Sequence, residues 1–222
     1  MSDRVRLCIV LAHGRQELLN QCLEAIWPQV DDILVLDNAS DPKLTTPEEL
    51  DDVRLQYIPD QPPNISRFWN QGLDFFADIY ESEDWDVALL CDDALPPSGW
   101  FDAVTSAMRA TGAAIGCSNP WGAFHDPILK TRPDSDIVHR MPGWAWIMDG
   151  SKKIRARESM AWWWCDTDVD FQSRALGGMV MIGGYGVPNQ RPNEFTNSKP
   201  ELGARTALDA AAFAEFWGFR PW

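Results

Sequence analysis

Five short apolar runs, spaced by segments of helical period, constrain the fold of this 222-residue chain more than any other feature. "VRLCIVLA" (Val5–Ala12) is almost continuously apolar and β-rich, as expected of a strand buried on both faces. After "HGR", the segment "QELLNQCLEAIW" carries Leu18, Leu19, Cys22, Leu23 and Ile26 at helical spacing, and Pro28 ends it. "DDILVLDNAS" reads as a second strand closing on Asp37, Asn38 and Ser40, and "VRLQYIP" as a third. "NISRFWNQGLDFFADIY" reads as a loop entering a helix, "DVALLC" as the fourth strand, 98–109 as a helix and "AAIGCS" as the fifth strand. Strands that alternate with helices predict an α/β protein with a mostly parallel central sheet and flanking helices, its ligands at the carboxyl ends of the strands.

Beyond Asn119 the rhythm changes. "PWGAFHDPILKTRPDSD" is rich in Pro and polar residues and predicts a loop; the span 121–140 is a candidate lid, mobile until a ligand orders it. "GWAWIMDGS" reads as a strand and turn, "DTDVDFQSRALGG" as a short helix closed by Gly177 and Gly178, and "MVMIGG" as a strand. "NQRPNEFTNSKPELG" reads as a second long loop and "ARTALDAAAFAEFWGF" as a C-terminal helix. Repeats, low-complexity tracts and an interdomain linker are all missing, so 1–222 reads as one domain, with a nucleotide-binding part over about 5–118 and an acceptor and catalytic part over about 119–222.

The fourth strand ends in adjacent carboxylates, Asp92 and Asp93, within "VALLCDDALPPSGW". Like charges side by side need a positive partner, which can be a basic side chain, a helix N-terminus or a metal ion. No Lys or Arg stands nearby in sequence, which makes a metal worth pursuing.

Acidic residues outnumber basic ones 33 to 19, for a net charge of −14, which argues against a partner held mainly through a phosphate backbone. No apolar run approaches a membrane span and none reads as a signal peptide. The five cysteines are odd in number and lack C-x-x-C spacing, so free thiols in a reducing compartment, the cytoplasm, are expected rather than disulfides or zinc. Of the 12 tryptophans, Trp121, Trp144, Trp146 and the run Trp162–Trp164 lie near Gly, Pro and charged residues, and suit a stacking surface better than most.

The residues after the first strand, "AHGRQE", exclude the dinucleotide fingerprint, and no P-loop pattern exists. The same "AHGR" is too short for the glycine-rich, basic loop of a sugar-nucleotide pyrophosphorylase. The ordered set "VRLCIVLAHGRQELLNQCLEAI", "VDDILVLDNASD", "NISRFWNQGL", "DVALLCDDALPPSGWFDAV", "GWAWIMDGS" and "DTDVDFQSRALGGMVMIGG" resembles the family-two type glycosyltransferases with the GT-A fold, over about residues 5–184. The compact length is reminiscent of small phage-encoded members.

The resemblance implies a hexosyltransferase-like enzyme that is metal-dependent and inverting, moving a sugar from a nucleoside-diphosphate-sugar, with UDP the expected nucleoside diphosphate, to an acceptor hydroxyl. It implies donor contacts from Ala12, His13, Arg15, Asp37, Asn64, Asn70 and Asp92, with Gly72 near the donor, and a Mn²⁺ or Mg²⁺ held by Asp92 and Asp93. The late acidic motif covers Asp168, Asp170 and Arg174, and its first Asp is usually the base. Here the usual preceding Glu is Thr167, with Asp166 one step earlier, so the base stays open between Asp166 and Asp168. A proline common in the family's first loop is Leu11, and no His follows the late motif to serve as a metal ligand. Trp121, Trp144 and Trp164 are the candidate acceptor surface.

Simpler roles stand beside these. Asp92 could cap the following turn, Asp37 could close an Asx-turn with Ser40, the α-helical acids could serve the helix dipole, and Asp170 with Arg174 could be only an i,i+4 pair. The rival functions are a nucleotide-sugar or glycan-binding protein of the same fold and a glycosyltransferase acting on modified DNA bases, which the net charge disfavours.

Overall fold

The computed structural model describes residues 4–50, 52–59, 62–81, 84–120, 126–133, 139–192 and 194–221. Its strands are β1 (Val5–Ala12), β2 (Asp32–Asn38), β3 (Val53–Ile58), β4 (Trp85–Cys91), β5 (Ile115–Ser118), β6 (Ile128–Lys130), β7 (Ala145–Asp149) and β8 (Met179–Ile182). They form one sheet in the order β3-β2-β1-β4-β7-β5-β8-β6. The neighbours among β1 to β4 run parallel, as do β5 and β8. β7 runs antiparallel between β4 and β5, and β6 antiparallel along β8. The fold is thus mixed α/β with a mostly parallel sheet, as the alternating pattern predicts.

The inner strands are buried almost throughout because both faces are covered, whereas the edge strands β3 and β6 stay partly or largely exposed. Leu7 and Ile9 of β1 face one core layer, and Cys8 and Val10 the other. On the second side lie α1 (Gln16–Ile26) and α3 (Trp100–Thr111), which contribute Leu19, Leu23, Trp100 and Val104. On the first side lie α2 (Ile65–Ile79), α4 (Cys165–Ala175) and, near the carboxyl end of the chain, α6 (Pro200–Trp217), which contribute Phe68, Phe76, Phe171 and Phe213. Phe171 meets Phe213 and Trp217 with ring centroids 5.6 and 5.3 Å apart, which docks α6 onto α4.

Two of the expected loops hold regular structure. Ile128–Lys130 forms β6 on the edge of β8, although Leu129 points outward and gives the segment no apolar alternation to read. Within "NQRPNEFTNSKPELG" the short helix α5 (Glu194–Ser198) forms, and α6 begins at Pro200 rather than near Ala204. A proline in the first turn lacks only an N–H that has no helical partner, so it starts the helix instead of breaking it. Two parts of the candidate lid, 121–125 and 134–138, lie outside the described residues.

The antiparallel β7 joins the two ends of β4. Its start, at Trp144, lies beside the carboxyl end of β4, where the Cys91 amide donates to the Trp144 carbonyl at 3.0 Å. Its far end, Asp149, comes back beside Asp86, and Arg4 and Arg109 neutralise both acids there.

Candidate active site

A basic side chain does meet the paired carboxylates at the end of β4, brought from 77 residues upstream by the parallel pairing of β1 with β4. Arg15 donates from Nε to Asp92 Oδ2 at 3.2 Å and from Nη1 to Asp93 Oδ2 at 3.0 Å, and its Nη2 donates to Asp92 Oδ1. The His13 amide adds a bond to Asp92 Oδ2 at 3.2 Å. Burial pushes the Asp92 carboxyl up to about 6, partly offset by the Arg15 guanidinium. Burial raises Asp93 as well, and Arg15 again opposes it.

Asp93 keeps one oxygen, Oδ1, buried without a hydrogen-bond partner. An orphaned carboxylate oxygen is costly unless a proton donor or cation completes it. Mg²⁺ and Mn²⁺ sites of this type use one or two carboxylates plus substrate phosphates, so Asp93 fits a cation shared with a ligand. Both oxygens of Asp92 are already engaged, and among the described residues no group of three or more His, Cys, Asp or Glu could form a cage made of protein alone.

These residues open into a cavity of about 480 Å³, a size usual for small-molecule sites. Its floor is made by Leu11 and Ala12 at the end of β1, His13 and Arg15 just beyond it, Asn38 at the end of β2, and Cys91 to Asp93 at the end of β4. The His13 ring is fixed by a hydrogen bond between Nδ1 and the Asn38 carbonyl. Phe68 and Trp69 of α2, Trp144, and the run Trp162–Trp164 form an aromatic wall. Arg140 also lines the cavity and stacks over the Trp164 ring, 5.3 Å from its centroid.

Asp166 enters the same cavity from the first turn of α4. Its Oδ1 accepts the Thr167 amide at 2.7 Å. Its Oδ2 lies over Gly143, where a β-carbon would stand 3.0 Å away, so the glycine leaves room for the carboxylate.

Asp168 lies outside the cavity. It is fully buried, ion-paired with Arg157, and accepts hydrogen bonds from Gln172 Nε2 at 2.8 Å and Trp217 Nε1 at 3.0 Å. Asp170 is equally buried: its two oxygens take Arg174 Nε and Nη2 at 2.8 Å each, and one also takes the Met141 amide at 3.2 Å. Arg174 donates in turn to the carbonyls of Arg132 and His139. This pair anchors the chain that leads to Arg140 and Gly143.

Three further candidates are bonded elsewhere. Asp37 is buried, with Oδ1 accepting from the Ser40 amide and hydroxyl and Oδ2 from the Leu44 amide, which closes the turn after β2. Asn64 caps α2 by accepting the Arg67 amide at 3.0 Å and donates to the Glu158 carbonyl. Asn70 exchanges two bonds with the backbone of Ala156, each 2.9 Å, and staples α2 to the segment that follows β7. Gly72 serves packing: a β-carbon there would come within 2.8 Å of Ile9. Ala12, His13, Arg15, Asp92, Asp93, Asp166, Trp144 and Trp164 are brought together; Trp121 lies outside the described residues. Asn38 and Arg140 join the site although neither stands among the sequence-predicted site residues. Asn38 is legible as a polar residue at a strand end, but Arg140 sits in a segment without any periodic signal.

The mixed sheet flanked by helices on both faces is a GT-A-like fold. Solved structures of S. aureus TarS share it. TarS 1–349 matches with a TM-score of 0.58 at 11% identity, over 97% of this chain and 72% of that one. Its complex with UDP-GlcNAc gives 0.61 at 11%, over 95% and 66%, and its complex with UDP gives 0.59 at 9%, over 97% and 72%. The chain spans 42% of the longer TarS structure. No family model and no curated protein sequence matches the chain.

Proposed function

We propose that this chain is an inverting glycosyltransferase that moves a sugar from a nucleoside-diphosphate-sugar, UDP being the expected nucleoside diphosphate, to an acceptor hydroxyl. The observation that carries this reading is that Asp166 shares one cavity with Arg15, Asp92 and Asp93. A displacement at the sugar carbon needs two things on opposite sides, charge neutralisation at the leaving diphosphate and a base at the incoming hydroxyl. The β4 end supplies the first and α4 the second. The TarS complexes with UDP-GlcNAc and UDP support the donor class through the shared fold.

In this reading the diphosphate lies against Arg15 and the β4 end, and the nucleoside lies over Ala12, His13 and Asn38. Asp93 Oδ1 would hold a Mn²⁺ or Mg²⁺ together with the donor phosphates. That ion supplies neutralisation of the charge that develops as the glycosidic bond breaks. Asp166 accepts the proton of the acceptor hydroxyl, a role that typically contributes about 10²–10⁴-fold. The acceptor rests on Trp144 and Trp164, whose indole faces cover sugar C–H groups. The five cysteines form no disulfide and suit a reducing compartment such as the cytoplasm. Among the described residues no helix is long and apolar enough to cross a membrane.

A thermal-shift panel of nucleotide-sugars, run with Mn²⁺ and with chelator, tests the proposal, because a ligand of the native state stabilises it by mass action. At least one donor should raise the midpoint, more so with Mn²⁺, and should release its nucleoside diphosphate on incubation with a mixed acceptor pool. Binding without any turnover would leave the chain a nucleotide-sugar-binding protein. No shift with any member would sink the donor assignment.

A further inference from the structure

The tryptophan run is held in place from a distant part of the chain. Asp209, in the middle of α6, is fully buried. Its Oδ2 accepts the amide N–H of both Trp162 and Trp163, at 2.9 Å each. Its Oδ1 takes Arg205 Nε at 3.1 Å. The Trp163 indole N–H donates to the Leu202 carbonyl at 2.7 Å, and the Trp162 indole N–H to Thr196 Oγ1 at 3.1 Å, so α5 and α6 grip both backbone and rings.

The next residue, Trp164, has φ of 64°, in the left-handed region, and immediately precedes α4. A non-glycine residue there is strained and persists only where its surroundings over-determine it. Two consecutive amides pointing at one point need an acceptor with spare capacity. A carboxylate oxygen provides it, and its charge strengthens both bonds. The alternatives for these amides are poor, because they lie ahead of the helix and have no partner in its ladder.

We propose that Asp209 is a positioning residue for the transfer reaction. It fixes the left-handed turn that aligns Trp162–Trp164 as the cavity wall and starts α4 so that Asp166 faces the acid pair. This role rests on the proposed transfer function. Asp209 itself touches no reacting atom; Arg205 only completes its charge.

The test compares Asp209→Ala, Asp209→Asn and Arg205→Gln in the full chain. UDP affinity and stoichiometry are measured by calorimetry. Donor hydrolysis, with water as acceptor, gives kcat and KM for the nucleotide-sugar that stabilises the parent most. Displacing a catalytic group by about 1 Å costs roughly 100-fold, so Asp209→Ala should lose roughly 10- to 100-fold in kcat. Its UDP stoichiometry should stay near one site per chain, with affinity within about threefold of the parent, since only the chemical step is affected. Asp209→Asn keeps an oxygen that can accept both amides and should recover most of the rate, and Arg205→Gln should resemble the parent.

A fall in kcat matched by an equal fall in UDP stoichiometry would reduce Asp209 to a fold-stabilising residue and overturn the proposal. So would parental kcat in Asp209→Ala, or a failure of Asp209→Asn to rescue. If Asp209→Ala does not fold, Asp209→Ser, whose hydroxyl is too short to bridge the two amides, takes its place with the same outcomes. If no nucleoside diphosphate or nucleotide-sugar binds the parent, the functional reading falls separately. Hydrogen exchange at the Trp162 and Trp163 amides then decides, since equal exchange in the parent and Asp209→Ala overturns the holding role and faster exchange in the variant supports it.

Discussion

Two pairs of nearby carboxylates flank the cavity, and their fates differ. Asp92 and Asp93 leave β4 in a turn, and one arginine forks across both of them at the cavity floor. Asp166 and Asp168 stand two apart on α4, where residues at that spacing point about 200° away from each other. Asp166 therefore faces Gly143 and the cavity, whereas Asp168 faces Arg157 and Trp217 of α6. Asp170, one turn beyond Asp166, returns to the side of Asp166 and holds the Met141 amide. Adjacent charges in a turn can share a site, but charges at i and i+2 of a helix divide between the site and the core. The proposed reaction therefore takes Asp166 as its base, while Asp168 bolts α4 to the C-terminal helix.

The largest effect separates these two helical acids. Asp166→Asn should lower turnover by about 10²–10⁴-fold while UDP affinity holds, and Asp168→Asn should keep near-parental turnover per folded molecule. Steady-state kinetics beside calorimetric titration reads both, and a dead Asp168→Asn with intact UDP binding would reverse the assignment.

Stability should show the opposite ranking. Asp168→Ala strands Arg157 and the Trp217 N–H, and breaking a buried pair costs about 3–5 kcal/mol, here at the lower end because Arg157 is partly exposed. Asp166→Ala should stay within about 1 kcal/mol, as a partly exposed acid with only a local bond. Urea midpoints of the two variants give the comparison, and equal midpoints would contradict it.

A smaller effect concerns Asp37. Asp37→Ala leaves the Leu44 and Ser40 amides unsatisfied and should cost about 1–3 kcal/mol of stability. UDP affinity should change by less than about twofold, because Asp37 has both oxygens inside the turn. A tenfold loss of affinity in calorimetry would instead return Asp37 to the donor site.

The smallest effect tests the spare oxygen at the floor. Asp93→Ala should remove the Mn²⁺ enhancement of UDP binding, a loss of about tenfold or roughly 1.4 kcal/mol, and keep the fold. Titrations with Mn²⁺ and with chelator measure it. An enhancement as large as that of the parent would place the cation elsewhere.

The difference between the two pairs also shows what a sequence can disclose. The strands β1, β2 and β4 are legible because strands covered on both faces are nearly continuous apolar runs, and the acid pair is legible as charge at the end of such a strand. Its neutralising partner is not, since Arg15 meets Asp92 across 77 residues and only through the sheet order. Asp166 and Asp168 are visible as acids in a first helical turn, and the helical period already implies opposite faces. Which face meets the cavity depends on β7 and α6, neither of which marks its packing locally. β6 escapes notice because three residues with an outward Leu129 carry no pattern. Asp209 escapes it because a carboxylate in an alanine-rich helix reads as a solvated face, yet it is fully buried against the tryptophan run.

The most direct test of the central claim is a crystal structure of the chain soaked with UDP and Mn²⁺. UDP should occupy the 480 Å³ cavity, with its diphosphate against Arg15, a metal ion on Asp93 Oδ1 and Asp166 facing the open side of the diphosphate. UDP bound away from the β4 end, or a cavity that stays empty at saturating UDP with Mn²⁺ present, would contradict the claim.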